Sequence, residues 1–308
     1  MGAEEKILVI RGGAIGDFIL TLPAIAALRK KFPQVPVEIL GHPRSANLAV
    51  ATGLAEQVRS LDDPRLAGFF SLHGNLDGEF AKYFSTFSLA VSYLFDPEKI
   101  FAKNFACCSK AKFLAGPHRP DEKIKLHATK VFLQPLEHLG IFNADGAPIL
   151  SLNSQPSTLN FLALHPGSGS ERKNWPEEKW AELIRLLIEK TDFRLLFVGG
   201  EAEGDRLQRL SKNVSPDRVS LAQNLPLVEL ARKMKSCAAF LGHDSRISHL
   251  AAALDLPGVI LWGETNEEIW RPPSGKLALL RHAKGIKEIS VAAVFAALPK
   301  TFSVAGLI

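Results

Sequence analysis

The stretch from Phe240 to Trp270, FLGHDSRISHLAAALDLPGVILWGETNEEIW, most narrows what this chain can fold into. It opens on an apolar, strand-like run, Ala238 to Leu241, which meets a Gly-His-Asp-Ser turn. An Ala- and Leu-rich helical segment follows, and a second apolar run, Val259 to Trp262, ends on a glycine. A strand, a polar loop at a helix N-terminus and another strand make the repeating unit of an α/β sheet. The first N–H groups of a helix have no partner within it and carry the positive end of its dipole, so such a loop suits phosphate. Asp244 and Ser245 are good N-cap residues, and His249 lies about one turn further on, where it can share their face. The same residues also suit an ordinary capped helix between two buried strands, with His249 packed or part of a capping network. Local sequence leaves both readings open.

The alternation that this stretch displays runs through the whole chain. Lys6 to Ile10 reads as a buried strand, Phe18 to Phe32 as a helix with Pro23 in its first turns, and Val35 to Leu40 as a second strand. Arg44 to Thr52 (helix) and Gln57 to Leu61 (strand) continue the pattern, whereas Ala67 to Asp77 has no clear period. Strands are expected at Phe87 to Leu94 and Lys112 to Ala115, and helices at Pro97 to Cys107 and Ala128 to Leu139, the last closed by Gly140. Ser151 to Thr158, SLNSQPST, has the composition of a linker. After it the alternation restarts: strands at Leu159 to Leu164, Phe193 to Val198, Val219 to Leu221 and Leu277 to Arg281, helices at Glu177 to Lys190, Glu203 to Asn213, Leu227 to Lys235 and Val291 to Leu298. The expected organisation is therefore a domain over 1–150, a linker over 151–158 and a second domain over 159–308. A length of 308 residues suits two domains. Two parallel α/β domains joined this way commonly bind substrate in the cleft between them.

Charge and cysteine content exclude several classes. A net charge of +5 fits an anionic ligand or surface but does not by itself indicate nucleic acid. The excess is local: between Lys99 and Lys130, Lys and Arg outnumber Asp and Glu eight to two. Cys107, Cys108 and Cys237 form neither a disulfide framework nor a metal-ligand spacing, which points to a reducing compartment and no structural metal. MGAEEKILVIRGG does not read as a secretory signal, and no apolar run approaches the roughly 18 residues of a membrane span. Membrane association, if any, is expected to be peripheral.

Three loops at strand ends carry candidate chemistry. In the first, RGGAIGD, glycines at 12, 13 and 16 fit neither a GxGxxG fingerprint nor a phosphate-binding GK[ST]. Asp17 is either a helix cap or a carboxylate able to take a proton from a hydroxyl. In the second, HPGSGSERKNW, Gly167, Ser168 and Gly169 let backbone N–H groups converge on an anion, and Arg172 and Lys173 can neutralise phosphate; a solvated loop ahead of a helix is the alternative. The third is the turn at Gly242 to Ser245. In GEAEGD, Gly200 to Asp205, the acids can hold ribose hydroxyls or simply favour a helix N-terminus. One carboxylate in the first domain and an anion- and ribose-binding set in the second suit group transfer from a nucleotide-activated donor, with no obligatory metal.

Three segments, ILVIRGGAIGDFILTLPAIAALRKKFP, LALHPGSGSERKNWPEEKW and FLGHDSRISHLAAALDLPGVILWGET, in this order and spacing, resemble glycosyltransferase family 9, the ADP-heptose:lipopolysaccharide heptosyltransferases. The resemblance covers nearly the whole chain. It implies an α/β protein of the GT-B fold, two Rossmann-like parallel-sheet domains facing across a cleft, the first for the acceptor and the second for the donor. It implies a cytoplasmic, inverting, metal-independent transfer of a heptose or related sugar from an ADP-sugar, with no cofactor. Asp17 matches the family's general base, and Lys173 the lysine that binds the donor phosphates. Ser168 falls in the same phosphate-binding loop. Asp244, Ser245 and His249 match the motif whose backbone reaches the diphosphate; Glu203 lies where the family binds ribose, and Leu225 where it flanks adenine. Where the family has a glycine, this chain has Arg246, which would either block the phosphates or add a contact to them; His243 is read as a neighbouring adaptation.

Because the acceptor is an anionic glycolipid, Lys110, Lys112, Arg119, Lys123 and Lys125 are candidate contacts to it or to the inner face of the membrane; a solvated charged face is the alternative. A monomer is the default. The competing readings are a degenerate member that binds nucleotide sugar or glycan without turnover, a nucleotide-sugar 2-epimerase, and, against the glycine pattern, a dinucleotide oxidoreductase.

Overall fold

The computed structural model describes residues 5–152 and 160–298. The chain divides into two compact units, Met1–Pro148 and Ile149–Ile308. The expected linker lies outside the described residues apart from Ser151 and Leu152. Leu150 and Leu152 are buried, and the Leu150 N–H donates to Ala253 O at 2.8 Å, so the chain has joined the second unit before residue 153.

The first unit runs β1 (Ile7–Arg11), α1 (Ile15–Lys31), β2 (Val37–Gly41), α2 (Pro43–Ala51), β3 (Gln57–Ser60), α3 (Gly78–Phe84), β4 (Leu89–Ser92), α4 (Ile100–Cys108), β5 (Lys112–Ala115) and α5 (Ala128–Leu133). Its five strands are all parallel, in the order β3-β2-β1-β4-β5. Every residue of β1 is buried, as expected of a central strand covered on both faces.

Several elements depart from the sequence reading. Helix α1 begins three residues before the expected Phe18, so Pro23 falls in its interior, where it forfeits the bond to the Ile19 carbonyl. The unreadable stretch, Ala67 to Asp77, opens inside a 3-10 turn, Pro64–Phe70, and Asp77 caps α3 by accepting from the Glu79 and Phe80 N–H groups. Tertiary packing decides that region: Phe69, Phe80, Phe84, Phe101 and Phe105 form one aromatic cluster, with Phe69 edge-on to Phe84 at 5.0 Å. The helix expected over Ala128 to Leu139 tightens at Pro135 into a 3-10 turn, Gln134–Leu139, and ends on left-handed Gly140.

The second unit runs β6 (Phe161–His165), α6 (Glu177–Lys190), β7 (Arg194–Gly199), α7 (Arg206–Ser211), β8 (Val219–Gln223), α8 (Leu227–Lys235), β9 (Ala239–His243), α9 (Arg246–Ala253), β10 (Gly258–Leu261), α10 (Glu267–Trp270), β11 (Leu277–Leu280) and α11 (Val291–Ala297). Its six parallel strands are ordered β11-β10-β9-β6-β7-β8. Helix α6 buries Trp180, Leu183, Ile184 and Leu187, the i, i+3, i+4, i+7 face its sequence prescribes. The helix expected over Glu203 to Asn213 is broken: Glu201–Glu203 form a 3-10 turn, Gly204 takes a φ of 48°, and α7 starts only at Arg206. Both units are therefore parallel-sheet α/β structures. Among the described residues no helix is long and apolar enough to cross a membrane.

Candidate functional site

In the second unit the strand order reverses between β6 and β9, whose neighbouring helices carry the chain to opposite sides. Loops leaving the C-terminal ends of two such strands diverge and open a crevice, the usual ligand position in an open parallel sheet. The two loops here are 166–175 and 244–245, two of the three singled out in the sequence.

His243, fully buried at the end of β9, fastens the longer loop. Its Nε2 accepts the Trp175 backbone N–H at 2.9 Å, so the ring proton resides on Nδ1 and is donated to Gly167 O at 3.2 Å. Burial pushes the imidazole pKa down to about 3 against the opposing pull of the Gly167 carbonyl, and the ring stays neutral. The Trp175 indole is also buried and donates to Ile289 O at 3.0 Å. His243 is thus a clamp on both ends of the loop, a role its place in the sequence did not disclose.

The clamp presents Lys173. Its Nζ lies 2.7 Å from Asp244 Oδ2, and the Thr265 hydroxyl donates to the same oxygen. Asp244 is buried, whereas the Lys173 side chain is 38% exposed. The carboxylate aims the ammonium, which keeps protons to donate outward. Thr265 went unassigned in the sequence; its one signal is its position in the Gly-Glu-Thr turn after β10. A cavity of about 550 Å³ adjoins that turn, lined by Trp262, Gly263, Glu264, Arg281, His282 and Lys284.

Ser245 is the N-cap of α9 but makes no side-chain cap bond. Among the described residues nothing accepts from the N–H groups of Arg246 and Ile247. Arg246 is exposed and helical, so no glycine conformation is needed there. His249 is buried in α9. Leu225 is half-buried in the turn between β8 and α8.

Two expected donor contacts face inward instead. Ser168 is buried, its hydroxyl 2.8 Å from both Ser170 O and Asn174 Oδ1, because it knits the loop to itself. The Glu203 side chain is only 2% exposed. One of its oxygens lies 3.5 Å from His165 Nε2, and the other accepts the Gly200 N–H at 2.5 Å. Burial would raise this carboxyl, but the His165 bond and charge, together with backbone N–H groups, hold it below the ordinary range. Neither oxygen is turned outward to a ribose. Gly167 accommodates this acid: a Cβ at that position would collide with the Glu203 carboxylate.

In the first unit Asp17 lies in the first turn of α1 rather than at its N-cap, which is Ala14. Its Oδ2 accepts the Ala14 N–H at 3.0 Å, and its Oδ1 is 3.9 Å from Arg11 Nη2. Arg11 is buried at the end of β1, stacked over Phe132 at 4.5 Å, and donates to His118 O at 2.9 Å. Burial lowers its pKa while Asp17 opposes that shift. Asp17 is therefore both a capping group and a partly exposed carboxylate at the C-terminal edge of the central strand.

The basic stretch is not one face. Lys112 opens β5, donating to His138 O at 3.1 Å, and Lys110 precedes it, so both lie at the N-terminal edge of the sheet, opposite Asp17. Arg119, Lys123 and Lys125 follow β5 and emerge at the other edge, exposed among Asp121 and Glu122, with Arg119 paired to Glu122 at 2.7 Å. A strand crossing the sheet separates what sequence proximity had grouped. Among the described residues no cluster of three or more His, Cys, Asp and Glu side chains is arranged to hold a metal ion.

Residues 142–291 match the family model of glycosyltransferase family 9 (heptosyltransferase). Lipopolysaccharide heptosyltransferase 1 of Pseudomonas aeruginosa is 28% identical over 151 residues, which is 49% of this chain and 41% of that protein. The chain thus spans about two fifths of that relative in the alignment. Lipopolysaccharide heptosyltransferase 2 of Salmonella typhimurium is 23% identical over 92% of this chain and 90% of its own length. The structure of the E. coli heptosyltransferase WaaC with ADP superposes with a TM-score of 0.75 at 18% identity, covering 94% of this chain and 98% of that one, a likeness of fold.

Proposed function

We propose, on the premise that this chain belongs to glycosyltransferase family 9, that it is an inverting glycosyltransferase which moves a heptose or a related sugar from an ADP-sugar to a lipopolysaccharide-core-type acceptor. The observation that carries the reading is the Lys173–Asp244–Thr265 cluster beside the uncapped first turn of α9. A half-exposed ammonium and open helix N–H groups form a site for a diphosphate. ADP is favoured among nucleotides because a solved relative of the same fold holds it.

Asp17 takes the proton of the acceptor hydroxyl. The freed oxygen forms its bond to the anomeric carbon as the bond from that carbon to the diphosphate oxygen breaks, which inverts the centre. The electron pair leaves with the diphosphate. Lys173 and the N–H groups of Arg246 and Ile247 meet its charge, so this reading routes no step through a metal or cofactor. Asp244 holds the lysine rather than the donor. Arg119, Lys123 and Lys125 remain candidates for the anionic acceptor, whose lipid part would bring the protein to the inner face of the membrane; Lys110 and Lys112 drop out by position.

A second reading, binding without turnover, rests on Arg246 in place of the family's glycine. Calorimetric titration with ADP, UDP, GDP and ADP-heptose addresses both. The expected result is selective binding of ADP and ADP-heptose, weakened at least tenfold by Lys173→Ala. Asp17→Asn should keep that binding and lose about 10²–10⁴-fold in turnover. Binding of the ADP compounds with no transfer by the wild type would favour the second reading; no binding by any of the four would remove the donor assignment.

A further inference from the structure

We propose that Glu203 and His165 form a positioning relay that draws the Ser245 hydroxyl off the end of α9, keeping the helix N–H groups open for the donor diphosphate. This rests on the donor-site reading above. A serine at an N-cap ordinarily turns its oxygen back to accept the N–H two or three residues on, which would close the site. Ser245 has the extended backbone of an N-cap, with φ −153° and ψ 168°, yet its hydroxyl makes no such bond. Its Oγ lies 3.3 Å from His165 Nδ1 instead.

The direction of that bond follows from the groups behind it. His165 is buried at the end of β6, and its Nε2 lies 3.5 Å from Glu203 Oε1. Glu203 is buried too, and its other oxygen is occupied by the Gly200 N–H. An ionised carboxylate can only accept, so the histidine proton is placed on Nε2. Nδ1 is then left as an acceptor, and the Ser245 hydroxyl must donate to it. Three separate elements, the end of β6, the turn after β7 and the cap of α9, converge on this chain of bonds. The loss of an outward ribose contact at Glu203 and the need for glycine at Gly167 both follow from the same inward placement. Glu203 and His165 are positioning residues, acting through Ser245.

The test is a double-mutant cycle read by calorimetry with ADP and with inorganic pyrophosphate. Glu203→Gln, which can donate to His165 and reverse the relay, should weaken both ligands at least fivefold. In a Ser245→Ala background, where no hydroxyl can cap the helix, the same change should have less than a twofold effect. Equal losses in both backgrounds would make the pair a mere structural brace and overturn the proposal. Nitrogen-15 NMR of the imidazoles supplies a readout that needs no donor: His165 should be protonated on Nε2 in the wild type and on Nδ1 in Glu203→Gln. A wild-type His165 protonated on Nδ1 overturns the relay whatever the donor proves to be. Should the wild type bind neither probe while His165 is protonated on Nε2, the donor reading fails and the relay's bond pattern stands. If Glu203→Gln does not fold, His165→Gln takes its place in the cycle and the wild-type tautomer still decides.

Discussion

Asp17, Glu203 and Asp244 are three carboxylates that the sequence offered for three jobs, and their surroundings sort them differently. Asp17 keeps partial exposure and a weakly engaged oxygen, as a proton acceptor needs. Asp244 is buried against Lys173 and Thr265, so its charge serves to aim a cation. Glu203 is turned wholly inward. Arg246 is the instructive case among cations. A positive side chain at the first position of a helix opposes the dipole and gains from an anion bound there. Arg246 is exposed and has no side-chain partner among the described residues, which leaves the guanidinium free to reach such an anion. Arg246→Gly is therefore expected to weaken ADP binding at least threefold in calorimetry. Tighter binding by the variant would mean that the arginine obstructs the site.

Elements are set by packing as much as by their own residues. The glycine-rich loop before α1 shows the link from backbone to chemistry. Gly13 has a φ of 92°, which side chains rarely adopt, and a Cβ there would come within 3.0 Å of Asp17 Oδ2. Gly13→Ala should cost about 1–2 kcal/mol in the unfolding free energy of the first unit, measured by denaturant titration. It should also reduce turnover more than ADP affinity, because the strain falls on the candidate base and not on the candidate donor loops. Equal loss in both, or none, would place Asp17 outside the chemistry. The basic stretch teaches the same lesson from the other side. Lys110 and Arg119 are near in sequence, but β5 runs between them and sends them to opposite sheet edges.

At the scale of the whole molecule, the buried His243 ties stability to pH. Its folded pKa, about 3, lies below the ordinary 6.5 because of burial. The unfolded chain takes up a proton below pH 6.5 that the folded unit refuses, so stability is full above that value and falls as pH drops toward 3. The contribution reaches about 1.4 kcal/mol per pH unit. Between pH 6.5 and 5 the second unit should lose stability in the wild type and much less in His243→Gln. Parallel slopes in thermal melts of the two proteins would show that the ring takes up its proton without unfolding.

The sequence by itself determined the two parallel-sheet units, most strands to within a residue or two, and the three loops at strand ends. Those follow from local causes: apolar runs make buried strands, 3.6-residue periodicity makes amphipathic helices, and glycine and serine mark the turns. It also brought Lys173 to notice as a cation in a glycine- and serine-rich loop and Asp244 as a helix cap, and the family resemblance joined the two. Only the tertiary structure decided that Asp244 grips Lys173, that His243 clamps the loop, and that Glu203 and Ser168 face inward. Only it ordered the Phe-rich region around α3 and divided the basic stretch. Most of those outcomes depend on groups dozens of residues apart meeting in the fold, whereas Ser168 turns to partners in its own loop; in both cases the direction in which a polar side chain turns is fixed by which donors and acceptors remain to be satisfied.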